Sequence, residues 1–123
     1  MNEIKELTKA EEQVMQELWD MDGGFVKDVI ERLPEPKPAY NTVSTIVRIL
    51  ETKGFVDHEA YGKSHRYVPK ITKEEYKKVI TGKLLNNYFD NSASNMLSFF
   101  LEEKKLGMKD LDEILNIIQR NKK

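Results

Sequence analysis

From Asn41 to Lys53 the chain carries two faces at helical spacing. Val43, Ile46, Val47 and Leu50 fall at i, i+3, i+4 and i+7, one apolar stripe. Asn41, Ser44, Thr45, Arg48 and Thr52 fall on the other side, a small, hydrogen-bonding face with one arginine and no acid. Gly54 stands where a helix commonly stops. Phe55–Ala60 and Ser64–Val68 then read as two strands around Tyr61-Gly62. Upstream, Thr8 and Glu11 form a capping-box pattern, and the helix that follows directs Val14, Met15, Leu18 and Trp19 inward. Asp22-Gly23-Gly24 ends it, and Phe25–Leu33 predicts a short second helix with Val26, Val29, Ile30 and Leu33 inward. Pro34, Pro36 and Pro38 bar a helix from the next segment. Helix, helix, two-faced helix, glycine stop and hairpin is the order of a winged helix-turn-helix.

The remainder predicts three more helices. Thr72 and Glu75 repeat the capping pattern, with Ile71 and Tyr76 placed to staple the entry. That helix runs to about Phe89, where Asp90-Asn91-Ser92 interrupts. Ser94–Glu103 is densely apolar, and Leu106-Gly107 precedes a last helix with Leu111, Ile114, Leu115 and Ile118 on one stripe. The expected architecture is mainly α with a small β hairpin: a winged helix-turn-helix DNA-binding domain over 1–71 and a helical dimerisation region over 72–123. So short a tail cannot bury its apolar residues alone. Pairing with a second copy would cover Tyr88, Phe89, Met96, Leu97, Phe100, Leu111, Ile114, Leu115 and Ile118; folding back onto the first domain is the alternative.

Composition narrows the chemistry. The 123 residues carry a net charge of −1, but residues 37–70 hold six basic and three acidic side chains, a local excess that phosphate could feel. There is no cysteine, which removes disulfides, thiolate metal sites and cysteine nucleophiles and fits a reducing compartment. No run approaches the roughly 20 apolar residues of a membrane span. The opening residues lack the basic and apolar regions of a signal peptide, so a cytoplasmic location without membrane insertion is expected. His58 and His65 can face each other across the hairpin, yet two imidazoles without a third ligand make ordinary wing residues a better reading than a metal site. No cofactor is expected, and neither a phosphate loop nor a nucleophile–histidine pair suggests an enzyme.

Short side chains with one arginine suit a helix pressed against base edges in a major groove. Asn41, Thr42, Ser44, Thr45 and Arg48 are the candidate base contacts. Lys37 and Tyr40 would hold phosphates at the helix entry, while Lys63, His65 and Arg66 would set the wing tip on the backbone. A winged helix whose polar face binds protein rather than DNA is the competing reading.

Several of these segments resemble the penicillinase repressors, the BlaI/MecI family. Leu7-Thr8-Lys9-Ala10-Glu11 with Val14-Met15 and Leu18-Trp19 is similar to that family's opening helix. Thr42–Val47, Leu50 and Lys53-Gly54-Phe55-Val56 resemble its recognition helix and wing entry, and Tyr67 matches the aromatic of the second wing strand. Asn95-Met96-Leu97 and Phe100-Leu101-Glu102 resemble the segment before its final helix. The resemblance implies a homodimeric repressor on a palindromic operator, released when a membrane metalloprotease sensor leads to cleavage in the dimerisation region. The matching bond is Phe99–Phe100, although Phe99 stands where the family usually has Asn. Simple core roles for Phe99 and Phe100 remain the alternative. Ile49 stands where many members carry Arg, with Arg48 one position earlier. The copper-responsive branch, which uses C-terminal cysteines, is excluded.

Overall fold

A computed structural model describes residues 3–121; Met1 and Asn2, part of the signal-peptide reading, lie outside them. The order is α1 (Lys9–Met21), α2 (Val26–Arg32), α3 (Tyr40–Thr52), β1 (Val56–Tyr61), β2 (Ser64–Pro69), α4 (Lys73–Tyr88), α5 (Ala93–Glu102) and α6 (Met108–Asn121). The Thr8 hydroxyl accepts from Glu11 N at 3.2 Å, and Thr8 N donates to the Glu11 carboxylate at 3.0 Å, completing the α1 capping box. At the other end Asp22 takes a left-handed conformation (φ 56°), and Gly23 N donates to Leu18 O at 2.9 Å. The end of α3 is built alike: Gly54 has φ 87°, Gly54 N donates to Glu51 O at 3.0 Å, and Phe55 N donates to Leu50 O at 2.9 Å. This pair of hydrogen bonds turns the chain back sharply at the helix end, and Phe55 and Leu50 are both fully buried.

Because Phe55 belongs to that helix end, β1 starts at Val56. The strands pair antiparallel from Val56↔Pro69 to Tyr61↔Ser64, so the turn is Gly62-Lys63, one residue later than the sequence suggested. Gly62 supplies the positive φ (62°) that a two-residue loop needs. The free edge of β2 gains a short third partner: Gly24 N donates to Tyr67 O and Tyr67 N to Gly24 O, both at 2.9 Å. Gly23 lies in this crossing with φ 104°, and a Cβ there would stand 2.9 Å from Tyr67 O.

The core gathers Val14, Met15 and Leu18 of α1, Val29 of α2, Val43, Val47 and Leu50 of α3, and Phe55 and Val56. Full burial of one such side chain contributes about 1.5–3 kcal/mol. The first turns of α4 join this core. Tyr76 is buried, its hydroxyl accepts from Leu7 N at 2.8 Å, and its ring meets Phe55 edge-on at 5.4 Å. Trp19, half-buried beside it, donates its indole N–H to Ile71 O at 2.9 Å. The first compact unit accordingly runs to Ile80, inside α4. One ion pair closes its edge: Lys53 Nζ lies 2.6 Å from the carboxylate of buried Glu11. Burial pushes the Glu11 carboxyl up, but Lys53 and the Thr8 bonds outweigh it and hold the carboxyl below its ordinary value of 4.5.

In the unit that begins at Thr81, neither α5 nor α6 holds a buried residue. Ser92 caps α5 by accepting from Asn95 N at 3.1 Å, as Asp90 and Asn91 turn the chain at positive φ. Phe89 and Phe99 pack at 5.6 Å.

Two substitutions separate backbone strain from collision. Gly54→Ala meets open space and should lose about 1 kcal/mol through its φ alone. Gly23→Ala adds contact with Tyr67, Arg66 and Val68 and should lose about 2–4 kcal/mol. Urea midpoints of the two variants check this, and equal losses would refute the collision. A third concerns pH. Glu11 has a lowered folded pKa, so its stabilisation is present above the ordinary value and fades as pH falls through the lowered one. Lys53→Met should cost about 1–3 kcal/mol at neutral pH and remove that share of the acid dependence, read from unfolding midpoints between pH 7 and pH 3.

Candidate nucleic-acid interface

Burial of Val43, Val47 and Leu50 fixes the rotation of α3 and turns its other side to solvent. Asn41, Thr42, Thr45, Arg48, Ile49 and Thr52 are exposed; Ser44 is half-buried at the margin. Arg48 lies back along its own helix, Nε donating to Ser44 O at 3.3 Å and a terminal nitrogen reaching Thr45 Oγ1 at 3.5 Å. Both bonds are long, so the guanidinium can swing outward at little cost. Glu51, the acid of α3 nearest this face in sequence, is drawn to the wing, where it meets His58 Nδ1 at 2.6 Å. Tyr40 stands 59% exposed at the helix entry. Sequence reasoning left Ile49 out of the face. On a helical wheel it falls between Thr42 and Thr45, and its 40% exposure places an aliphatic side chain among polar ones.

The wing differs from expectation in two details. Lys63 occupies the turn and is exposed, as anticipated for a tip. Arg66 is not at the tip: it donates to Asp22 O at 3.0 Å and lies 3.5 Å from Glu59, fastening β2 to the end of α1. The negative end of a helix attracts such a cation. His58 and His65 are not directly opposed; the pairs are His58↔Tyr67 and Ala60↔His65, and the two imidazoles stack diagonally at 4.3 Å with 16° between planes. Lys37, although exposed, lies back on the end of α2, donating to Glu31 O at 2.8 Å and Leu33 O at 2.6 Å. Among the described residues no group of three or more His, Cys, Asp or Glu could hold a metal ion.

In the second unit, Tyr88, Leu115 and Ile118 are exposed at 76%, 56% and 56%. Phe89, Met96, Leu97, Phe100, Leu111 and Ile114 are half-buried. Phe99 and Phe100 sit in the interior of α5, Phe99 facing solvent. Among the described residues no helix is long and apolar enough to cross a membrane.

The helix α3 is pinned on its apolar side, offers an acid-free outer face and is followed by a two-stranded wing. A family model described as penicillinase repressor matches residues 7–120. The chain belongs to the penicillinase repressor family. Within the family, the penicillinase repressor of Bacillus licheniformis is 26% identical over 123 residues, spanning 99% of this chain and 96% of that protein. The methicillin resistance regulatory protein MecI of Staphylococcus aureus strain N315 is 24% identical over 120 residues, 97% of this chain and 98% of that one. The solved DNA-binding domain of the repressor BlaI superposes with a TM-score of 0.53 at 27% identity, over 62% of this chain and 94% of that domain. Monomeric Bacillus licheniformis BlaI, solved in complex with the blaP half-operator, gives 0.50 at 27% identity and the same coverage.

The two wing cations should behave differently on mutation. Arg66→Ala removes a bond to a helix-end carbonyl and should lower stability by about 1 kcal/mol. Lys63→Ala, at an exposed turn, should stay within about 0.5 kcal/mol of the parent. Thermal unfolding of both variants decides, and a larger loss at Lys63 would contradict the assignment.

Proposed function

We propose that the chain is a sequence-specific DNA-binding repressor that acts as a homodimer on a palindromic operator. The observation that carries this is the α3 face: a helix pinned by its core side that offers Asn41, Thr42, Thr45 and Arg48 with no carboxylate among them. Family membership and the BlaI half-operator complex favour DNA over a protein as the ligand of that face. Asn41, Thr42, Ser44, Thr45 and Arg48 enter the major groove, where an arginine pairs with a guanine edge. Tyr40 holds a phosphate at the helix entry, Lys63 and His65 set the wing on the backbone, and Arg66 supports that wing from behind. Lys37, its ammonium already held by α2, is left out of the contact set. The family works by repression rather than catalysis, so no enzymatic step is assigned, and a cytoplasmic location follows from a DNA ligand.

The tail supplies the second arm. One copy leaves Tyr88, Leu115 and Ile118 wet, and a second copy would cover them in a two-fold interface with Phe89, Met96, Leu97, Phe100, Leu111 and Ile114. Linked half-sites then raise operator affinity through effective concentration. Cleavage at Phe99–Phe100 by a protease acting under a membrane sensor would remove α6 and part of α5 from each protomer. A protease needs extended chain, so this bond becomes available only when α5 unwinds.

Arg48→Ala should cost about 1–3 kcal/mol on the specific site and much less on random DNA. Lys63→Ala should weaken both alike and flatten the salt slope by about one unit. Fluorescence anisotropy at several salt concentrations separates the two; equal losses on both DNAs for Arg48→Ala would remove it from base readout. Ile118→Asp tests the dimer. Its side chain is exposed in one protomer, so the charge should leave monomer folding intact yet abolish pairing, seen as a halved mass by sedimentation. A parent chain that sediments as a monomer at tens of micromolar would overturn the interface.

A further inference from the structure

The N-terminal arm lies against the outer half of α3. Leu7 is buried with its N–H on the Tyr76 hydroxyl at 2.8 Å, Ile4 packs on the core, and Lys53 Nζ reaches Glu6 O at 3.5 Å. Between these anchors Lys5 is exposed and closes one side of a shallow depression of about 380 Å³. Ile49 lines it together with Thr45 and Thr52. The Thr52 hydroxyl is satisfied on Arg48 O at 3.1 Å, so it offers carbon rather than a donor. Lys53 contributes only its stem, because its ammonium is held by Glu11 at 2.6 Å. No carboxylate lines the depression, and its rim is cationic.

We infer that this notch reads the 5-methyl group of a thymine, with Ile49 as the specificity-determining residue and Lys5 on the adjoining phosphate. The inference rests on the proposed DNA-binding function and assigns it residues outside the polar set. In a major groove thymine alone among the four bases presents a methyl group. An aliphatic side chain on the groove-facing side of a helix has that group as its natural partner, since burial of both removes apolar surface from water. Lys5 then supplies the charge that a backbone phosphate requires, from a segment whose backbone is tied to the core on both sides.

The test begins with selection of duplexes from a randomised pool by the full chain. Each thymine of the recovered half-site is then replaced singly by deoxyuridine, which removes the methyl and leaves every hydrogen-bonding group in place. The expected result is one position where the parent loses about fourfold in affinity, the size of one buried methyl. Ile49→Ala should bind the thymine duplex with that same loss and not distinguish deoxyuridine there. Lys5→Gln should weaken both duplexes alike and keep the discrimination. Circular dichroism of Ile49→Ala, a change at an exposed helix position, verifies that the fold persists. A recovered site with no methyl-sensitive thymine, or discrimination that survives in Ile49→Ala, overturns the notch while DNA binding stands. Failure of the pool to enrich at all overturns the DNA-binding function and the notch with it, and leaves an apolar protein side chain as the occupant.

Discussion

The rotation of α3 about its own axis is the constraint on which the rest depends. Val43, Val47 and Leu50 are fully buried, and a turn of the helix by even one position would expose one of them and bury a polar neighbour. The same lock aims Asn41, Thr45 and Arg48 outward. It is closed at the C-terminal end by Gly54, whose left-handed backbone sends Phe55 into the core immediately after the helix. Phe55 in turn sets where β1 begins, and hence the register that brings Lys63 to the turn.

A second set of ties explains why the frame is firm on so small a core. Tyr76 reaches back from α4 to meet Phe55, Trp19 and the Leu7 backbone, so three distant segments are held by one side chain. The Glu11–Lys53 pair joins the start of α1 to the end of α3. Arg66 and the Gly24–Tyr67 bridge join the wing to the α1–α2 corner. Several cations that composition would assign to phosphate are therefore structural. Lys37, Lys53 and Arg66 all satisfy carbonyls or a carboxylate, so only part of the basic excess over residues 37–70 is without a bond to the fold.

That division was the part the sequence hid. Period and capping signals are local, so α1, α3, the hairpin and the three later helices were readable from spacing, Thr8, Gly54 and Thr72. The two faces of α3 were readable for the same reason. What a cation bonds to depends on which helix end folding brings near, as with Arg66 and Asp22, and no local pattern records it. The diagonal stacking of His58 and His65 required the register, which turned on a one-residue choice of loop. Ile49, aliphatic and outside both the apolar stripe and the polar set, shows its place on the exposed side only through its angular position on the folded helix. Tyr76 looked like the start of the tail, yet its ring and hydroxyl pack into the first core.

In the second unit neither α5 nor α6 holds a fully buried residue. Titration of the ¹⁵N-labelled chain with a duplex recovered from a randomised pool, followed by amide shifts, shows whether the face fixed on α3 is where DNA is held. Shifts should concentrate in Tyr40–Thr52, at Lys63 and along the arm at Lys5, with the buried amides of α1 unmoved. Shifts confined to residues beyond Ile80, with α3 silent, would contradict it.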